Sequence, residues 1–238
     1  MALTLGSGSP RCCITGYMTS LDAIPALRAL ASTALAEVAR ASRPVRFGPG
    51  AVIRPATEPA HGVLLLHSGT VTLVHTAPSG LEVWPQQWSG PAIADKSAAL
   101  SGDSPSTGLL AATTVTARFL PRARFMHLLD EHPSVRHHVL ARLARDMDAT
   151  RLRLAQSATL SAVAQVAAWL GARDVGHAMA WRGTQEHLGR LLGLSRVTVN
   201  RALARLATVG AIRLSDHGIV VVDRARLDSV ATAGDVAR

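Results

Sequence analysis

Residues 184–203 restrict the fold more than any other part of the chain. Thr184 carries a hydroxyl suited to cap a first helix, whose inward positions are Leu188, Leu191 and Leu192. Gly189 is small where a second helix must cross closely, and Gly193 allows the left-handed backbone of a tight turn. Ser195 then caps the second helix. Side chains rotate by about 100° per residue along a helix, so Val199, Ala202, Leu203 and Leu206 share one side of it. Arg196, Val197, Asn200 and Arg201 take the opposite arc. Two caps, a small crossing residue and a glycine turn at these offsets predict a helix-turn-helix rather than an ordinary solvated hairpin of helices. Beyond Gly210, residues 211–214 and 219–222 read as strands around a turn of Ser215, Asp216, His217 and Gly218. A hairpin directly after the second helix is a wing.

The outward arc has the chemistry of a DNA reader. A major groove admits an α-helix, and an arginine can donate two hydrogen bonds to guanine O6 and N7. Arg196, Val197, Asn200 and Arg201 are the expected base-reading positions, with Val197 able to touch only a thymine methyl. Thr184, Gln185, Ser195 and Thr198, beside the helix starts, are the expected phosphate contacts. The overall charge agrees: 25 Lys and Arg against 16 Asp and Glu give a formal +9, which favours a polyanionic partner. Lys96 is the sole lysine, so nearly all of this charge is arginine, for which codon bias is the simpler explanation.

Upstream, the texture changes twice. Residues 1–20 are rich in Gly, Ser and Thr and are expected to form a flexible leader. Leu21, Ile24, Leu27, Leu30, Leu35 and Val38 recur at helical spacing and predict a short entry helix over 21–40, despite Pro25. Between residues 44 and 120, short Val-, Leu- and Thr-rich segments alternate with glycine and proline turns, the pattern of a small all-β roll. After Pro133, Leu140, Leu143, Met147, Thr150 and Leu154 step by three and four residues, a heptad seam flanked by charge. Such a seam is expected to pair with a second copy of the chain, packing on the chain's own roll being the alternative. A helix over 159–172 follows, with Val163, Val166, Ala167 and Leu170 inward, and a connector starts near Gly176.

The expected architecture is therefore α+β: a leader (1–20), a jelly-roll-like sensor domain (21–132), a long dimerisation helix (133–158) and a winged helix-turn-helix (159–238). The order of parts resembles the Crp/Fnr family of bacterial transcription regulators over residues 44–223. The resemblance is strongest at residues 194–201, which look like that family's recognition-helix signature, and at residues 62–74, similar to its roll strand and turn. It implies that Arg196 and Arg201 read bases. Val197 stands where many relatives carry Glu, so the operator is expected to depart from the commonest half-site there.

The resemblance weakens at the effector site. Relatives that bind cyclic nucleotides use a Gly-Glu-Leu stretch for the ribose and an Arg-Ser/Thr-Ala stretch for the cyclic phosphate. Asp95, Lys96 and Ser97 align with the first, and Ser106, Thr107 and Gly108 with the second. A cation replaces the ribose-accepting carboxylate and a small hydroxyl replaces the phosphate-binding arginine. Asp95, Lys96, Ser97, Ser106 and Thr107 thus form a candidate effector pocket in which cyclic AMP is not expected, though Lys96 favours some other anionic ligand.

Other chemistries find little support. The only cysteines, Cys12 and Cys13, are adjacent, which leaves no disulfide framework and fits a reduced, cytoplasmic setting. No apolar run is long enough for a membrane span, so no membrane partner is expected. The ten histidines show no HxxxH spacing, and neither haem nor metal is expected. Gly102, Asp103, Ser104 and Pro105 superficially resemble a nucleophile loop, but no acid–base partners can be assigned and no enzyme is expected. Trp84 and Trp88, four residues apart, suit a core or lid. The sequence reading is a homodimeric, sequence-specific DNA-binding regulator, with RNA polymerase and a small-molecule effector as candidate partners and a DNA-competent apo form. The alternative is an effector-sensing or protein-interaction module with little specific DNA binding.

Overall fold

Pro25 breaks the expected entry helix. In the computed structural model, which describes residues 21–172, 184–215 and 218–232, a 3-10 turn (Leu21–Ala23) leads into further turns, and α1 begins only at Ser32 (Ser32–Ala41). Proline has no amide hydrogen and is tolerated only near a helix start. Tight bonds instead step by three, from Ile24 N–H to Leu21 O and from Leu27 N–H to Ile24 O. This period points Ile24 and Leu27 into the core, where both are fully buried. The expected leader, the connector at Gly176, and the hairpin tip at Asp216 and His217 lie outside the described residues.

The roll is built from β1 (Arg43–Phe47), β2 (Val52–Arg54), β3 (Gly62–Ser68), β4 (Thr70–Thr76), β5 (Glu82–Val83), β6 (Gln87–Ser89), β7 (Ala92–Ala94), β8 (Gly108–Ala111) and β9 (Val115–Pro121). One sheet runs β1-β9-β3-β7; the other runs β2-β8-β4-β5, with β6 also paired to β4. Gly69 makes the β3–β4 corner at φ 87°, where a Cβ would collide with the Thr114 carbonyl. Leu64, Leu66, Val71, Trp88, Leu109 and Val115 fill the space between the sheets.

The short α2 (Lys96–Ser101) lies between β7 and β8, and α3 (Arg122–Glu131) follows β9. The 27-residue α4 (Pro133–Thr159) then leaves the roll, with Pro133 at its first turn, where no amide donor is required. Val135 and Val139 are buried in a second core with Ile24, Leu27, Leu65, Leu120 and Phe125. The carboxyl-terminal domain comprises α5 (Ala162–Gly171), α6 (Gln185–Leu192), α7 (Arg196–Thr208), the β10 (Ile212–Ser215) and β11 (Gly218–Val221) hairpin, and α8 (Arg224–Thr232). Its own core joins Val166, Leu170, Leu188, Val199, Leu203, Leu206 and Leu227.

One buried ion pair ties the two sheets together. Arg54, 7% exposed at the end of β2, donates from Nε to Asp95 Oδ2 at 3.0 Å and from Nη2 to Oδ1 at 3.3 Å. Its Nη1 donates to the carbonyls of Pro55, Glu58 and Thr107. With all three guanidinium nitrogens engaged, the pair is worth more as a geometric pin than as net stability, since two charges were desolvated to form it. Removing one partner strands the other. Urea denaturation of Arg54→Met is therefore expected to show a loss of about 3–5 kcal/mol, part of it restored by adding Asp95→Asn, which removes the stranded charge and keeps a residue that tolerates the left-handed backbone.

Candidate nucleic-acid interface

Capping and close packing fix the two helices of the reader. The Thr184 hydroxyl accepts from His187 N–H, and Ser195 accepts from Thr198 N–H at 3.1 Å. Between them Gly193 adopts φ 69°, ψ 26°, and its neighbour Leu194 donates its N–H to Gly189 O. A Cβ on Gly189 would stand 2.5 Å from Leu194 O, so only glycine lets the turn fold back this far. On α7, Val199, Ala202, Leu203 and Leu206 are buried, as the spacing predicts.

The other side of α7 is open. Arg196, Val197, Asn200 and Arg201 are all exposed, Val197 to 58%. At about 100° per residue they span roughly 140° of the helix circumference, centred away from the buried aliphatics. Neither Arg196 nor Arg201 forms an ion pair with a carboxylate among the described residues, which leaves both guanidinium groups available to an external acceptor. Ser195 and Thr198 also contact each other through their hydroxyls at 2.8 Å, and Gln185 begins α6 beside Thr184. The four expected phosphate contacts therefore cluster at the starts of α6 and α7, where unpaired amide groups face outward.

The candidate effector residues do not line one cavity. Asp95 turns to Arg54, while the next residue, Lys96, turns to the opposite side and donates from Nζ to Ile93 O at 2.6 Å. The reversal is made by Asp95 itself, which adopts a left-handed backbone at φ 61° as it starts α2. Ser97 and Ser106 are exposed, and Thr107 contributes its carbonyl to Arg54. The carboxylate that survives in this stretch is thus Asp95, already satisfied by a cation of its own chain. Sequence reading missed Arg54, an isolated arginine in a short strand with no local signal of burial.

Also missed was the contact between roll and reader. Trp84, 6% exposed in the β5–β6 link, donates its backbone N–H to Arg190 O on α6 at 2.8 Å. Its ring meets His187 edge-on at 4.8 Å, and the Arg190 guanidinium lies 5.2 Å above it. Arg190 is held in turn by Glu82 at 3.3 Å and Glu186 at 2.8 Å. The arm of the roll therefore grips the first helix of the reader. A large aromatic in a turn-rich segment was the one available sign.

Along α4 two faces diverge. Val135, Val139 and, partly, Leu143 pack on the roll of their own chain. Leu140 is 57% exposed, Met147 51% and Leu154 70%, with Thr150 exposed among them. Leu143 thus sits at the edge of the expected seam rather than in its middle.

Comparison with known proteins agrees with this geometry. The family model for the Crp-like helix-turn-helix domain matches residues 161–230. The chain is 30% identical over 210 residues, 82% of its length and 91% of the relative's, to the CRP-like cAMP-activated global transcriptional regulator of Mycobacterium tuberculosis. It is 31% identical over 183 residues, 73% of each chain, to the HTH-type transcriptional regulator Cmr of the same organism. In fold it is similar to FixK2 from Bradyrhizobium japonicum, with a TM-score of 0.70 at 22% identity, covering 82% of this chain and 99% of that one.

Two predictions test the local physics. Gly189→Ala is expected to lower the thermal midpoint of the protein, whereas Arg196→Ala, on the open face, leaves it within a degree or so by circular dichroism. Burial lowers the Lys96 ammonium from its ordinary 10.5 to about 8, with nearby Asp146 acting in the opposite direction. Between those values the unfolded chain holds the proton and the native chain does not. Stability from this group must then rise with pH from about 8 to 10.5. Parallel denaturation curves should show that rise in the parent and its absence in Lys96→Met.

Proposed function

The chain belongs to the Crp/Fnr family of DNA-binding transcription regulators, and from that premise we propose that it acts as a homodimer reading a specific operator without control by cyclic AMP. The observation that carries the operator assignment is the exposed arc of Arg196, Asn200 and Arg201 on a helix whose other side is anchored in a core. Each arginine can donate bidentately to a guanine, worth about 1–3 kcal/mol of discrimination. Val197, exposed between them, offers only apolar contact, which favours a thymine methyl at its position. Thr184, Gln185, Ser195 and Thr198 set the register on the phosphates without reading sequence.

Dimerisation is supported by the face of α4 that the roll leaves uncovered. Leu140, Met147, Thr150 and Leu154 share it, and an exposed apolar stripe of this kind is uncommon on a monomer. Pairing along it would present two copies of α7 to half-sites about 34–36 Å apart. One M. tuberculosis relative is by name cAMP-activated. In this chain the Asp95 carboxylate is engaged by Arg54, and Ser106 and Thr107 supply no guanidinium for a cyclic phosphate. We therefore assign this chain no cyclic AMP control, and an apo form competent for DNA.

Binding-site selection from random DNA at fixed salt should enrich an inverted repeat. Arg196→Ala or Arg201→Ala should lower the preference for that repeat about ten- to hundredfold and leave dimerisation intact by sedimentation. Retention that is uniformly salt-sensitive, with no enriched repeat, would instead favour a sensing or protein-binding module. Leu140→Glu with Leu154→Glu should yield a monomer, and calorimetry with cyclic AMP should give no saturable heat.

A further inference from the structure

Lys96 is a buried cation on which the Asp146 and Asp95 carboxylates act only through space. It is 4% exposed, and among the described residues its three donor hydrogens meet one acceptor, the Ile93 carbonyl. The Trp88 ring lies 5.7 Å from Nζ, and among the described residues no carboxylate lies within ion-pair distance of it. A buried charge held this weakly is costly unless something completes its shell. The pair formed by its neighbour shows the contrast: Arg54 has Asp95 and three carbonyls.

Beside Lys96 is a cavity of about 170 Å³ bounded by Ile24, Trp88, Ile93, His138, Val139 and Arg142. The charged groups on its walls are of one sign. Arg142 reaches it from α4, using Nε to hold Asp146 at 3.0 Å and leaving its terminal nitrogens. His138 is pushed below its ordinary range by burial and by Arg145, Lys96, Arg142 and His137, all of which are cationic or can become so. Trp88, 4% exposed on the same wall, has an indole N–H with no acceptor among the described residues. A lysine, an arginine, a titratable histidine and an indole donor thus converge on one space from β6, α2 and α4.

We propose that this cavity binds a compact oxyanion, a phosphate or small carboxylate, between Lys96 and Arg142. Its oxygens would take the idle hydrogens of the Lys96 ammonium and the Arg142 terminal nitrogens. The size suits a compact group: a cavity of about 150 Å³ holds a benzene-sized molecule, so a phosphate ion or a benzoate fits. Neither Arg54 nor Asp95 lines this cavity, and the site is independent of the base-reading assignment on α7. It also lies across α4 from Leu140, Met147 and Leu154, so pairing along that stripe would not cover it.

Because Lys96 is the sole lysine, protein labelled with 13C-lysine gives one Cε signal that reports the site directly. Inorganic phosphate and benzoate are titrated separately at constant ionic strength held with chloride. A saturable shift with either anion, weakened about tenfold or more in Arg142→Gln, is the expected result, and the anion that saturates identifies the source. Calorimetry on Lys96→Met, an apolar substitution that removes the buried charge, should show no binding heat for the same anion. The proposal is overturned if neither anion shifts the signal, if the shift grows linearly without saturation, or if Arg142→Gln leaves it unchanged. Failure here would leave the operator selection untouched, since that assay does not involve the cavity.

Discussion

The structure turns on α4, one helix required to serve two surfaces. Val135 and Val139 sit in the core shared by the entry turns, β3, β9 and α3, and they fix the helix against the roll. That packing determines which way the remaining residues point. A rotation of roughly 100° separates neighbouring side chains, so Leu140, one residue past Val139, is turned out of the core. The helix continues beyond the roll for several turns and leads into α5, the first helix of the carboxyl-terminal domain. Any change in the way α4 lies on the roll is therefore a change in where the reader is carried.

A second link runs in parallel. The β5–β6 arm reaches from the roll to α6 through Trp84, whose backbone N–H is satisfied by the reader's Arg190 carbonyl. The ion pairs around Arg190 are partly exposed and individually weak, whereas the buried indole excludes water from the junction. The two links enter the reader on different helices. The core among α5, α7 and α8 joins them, so α7 is positioned by contacts none of which involves its outward side chains. This separation lets the arc of Arg196, Asn200 and Arg201 stay uncommitted.

The sensor half shows what happens where a binding cassette acquires internal partners. Asp95 and Lys96 are adjacent, yet the left-handed backbone at Asp95 sends them to opposite sides of β7. Asp95 meets Arg54 and is closed off as a structural pin. Lys96 directly touches a carbonyl and a π face, with Asp146 acting on it only at a distance. The same short stretch thus accounts for both the tie between the sheets and the cationic cavity on α4.

The amino-acid sequence alone carried the reader almost entirely, because its signals are local: caps at Thr184 and Ser195, the glycine turn at Gly193, and a 3.6-residue period that divides Val199 from Val197. It also marked α4 and the roll by period and by turn frequency. What only the tertiary structure decided is which distant groups meet. Nothing in the neighbourhood of Arg54 indicates a carboxylate 41 positions later, and nothing near Trp84 indicates an α6 carbonyl. The break of the entry helix at Pro25 and the placing of Leu143 at the edge of the roll core also depended on competing packing rather than on period. Local propensity is written residue by residue, whereas burial of a charge depends on a partner brought in by the fold.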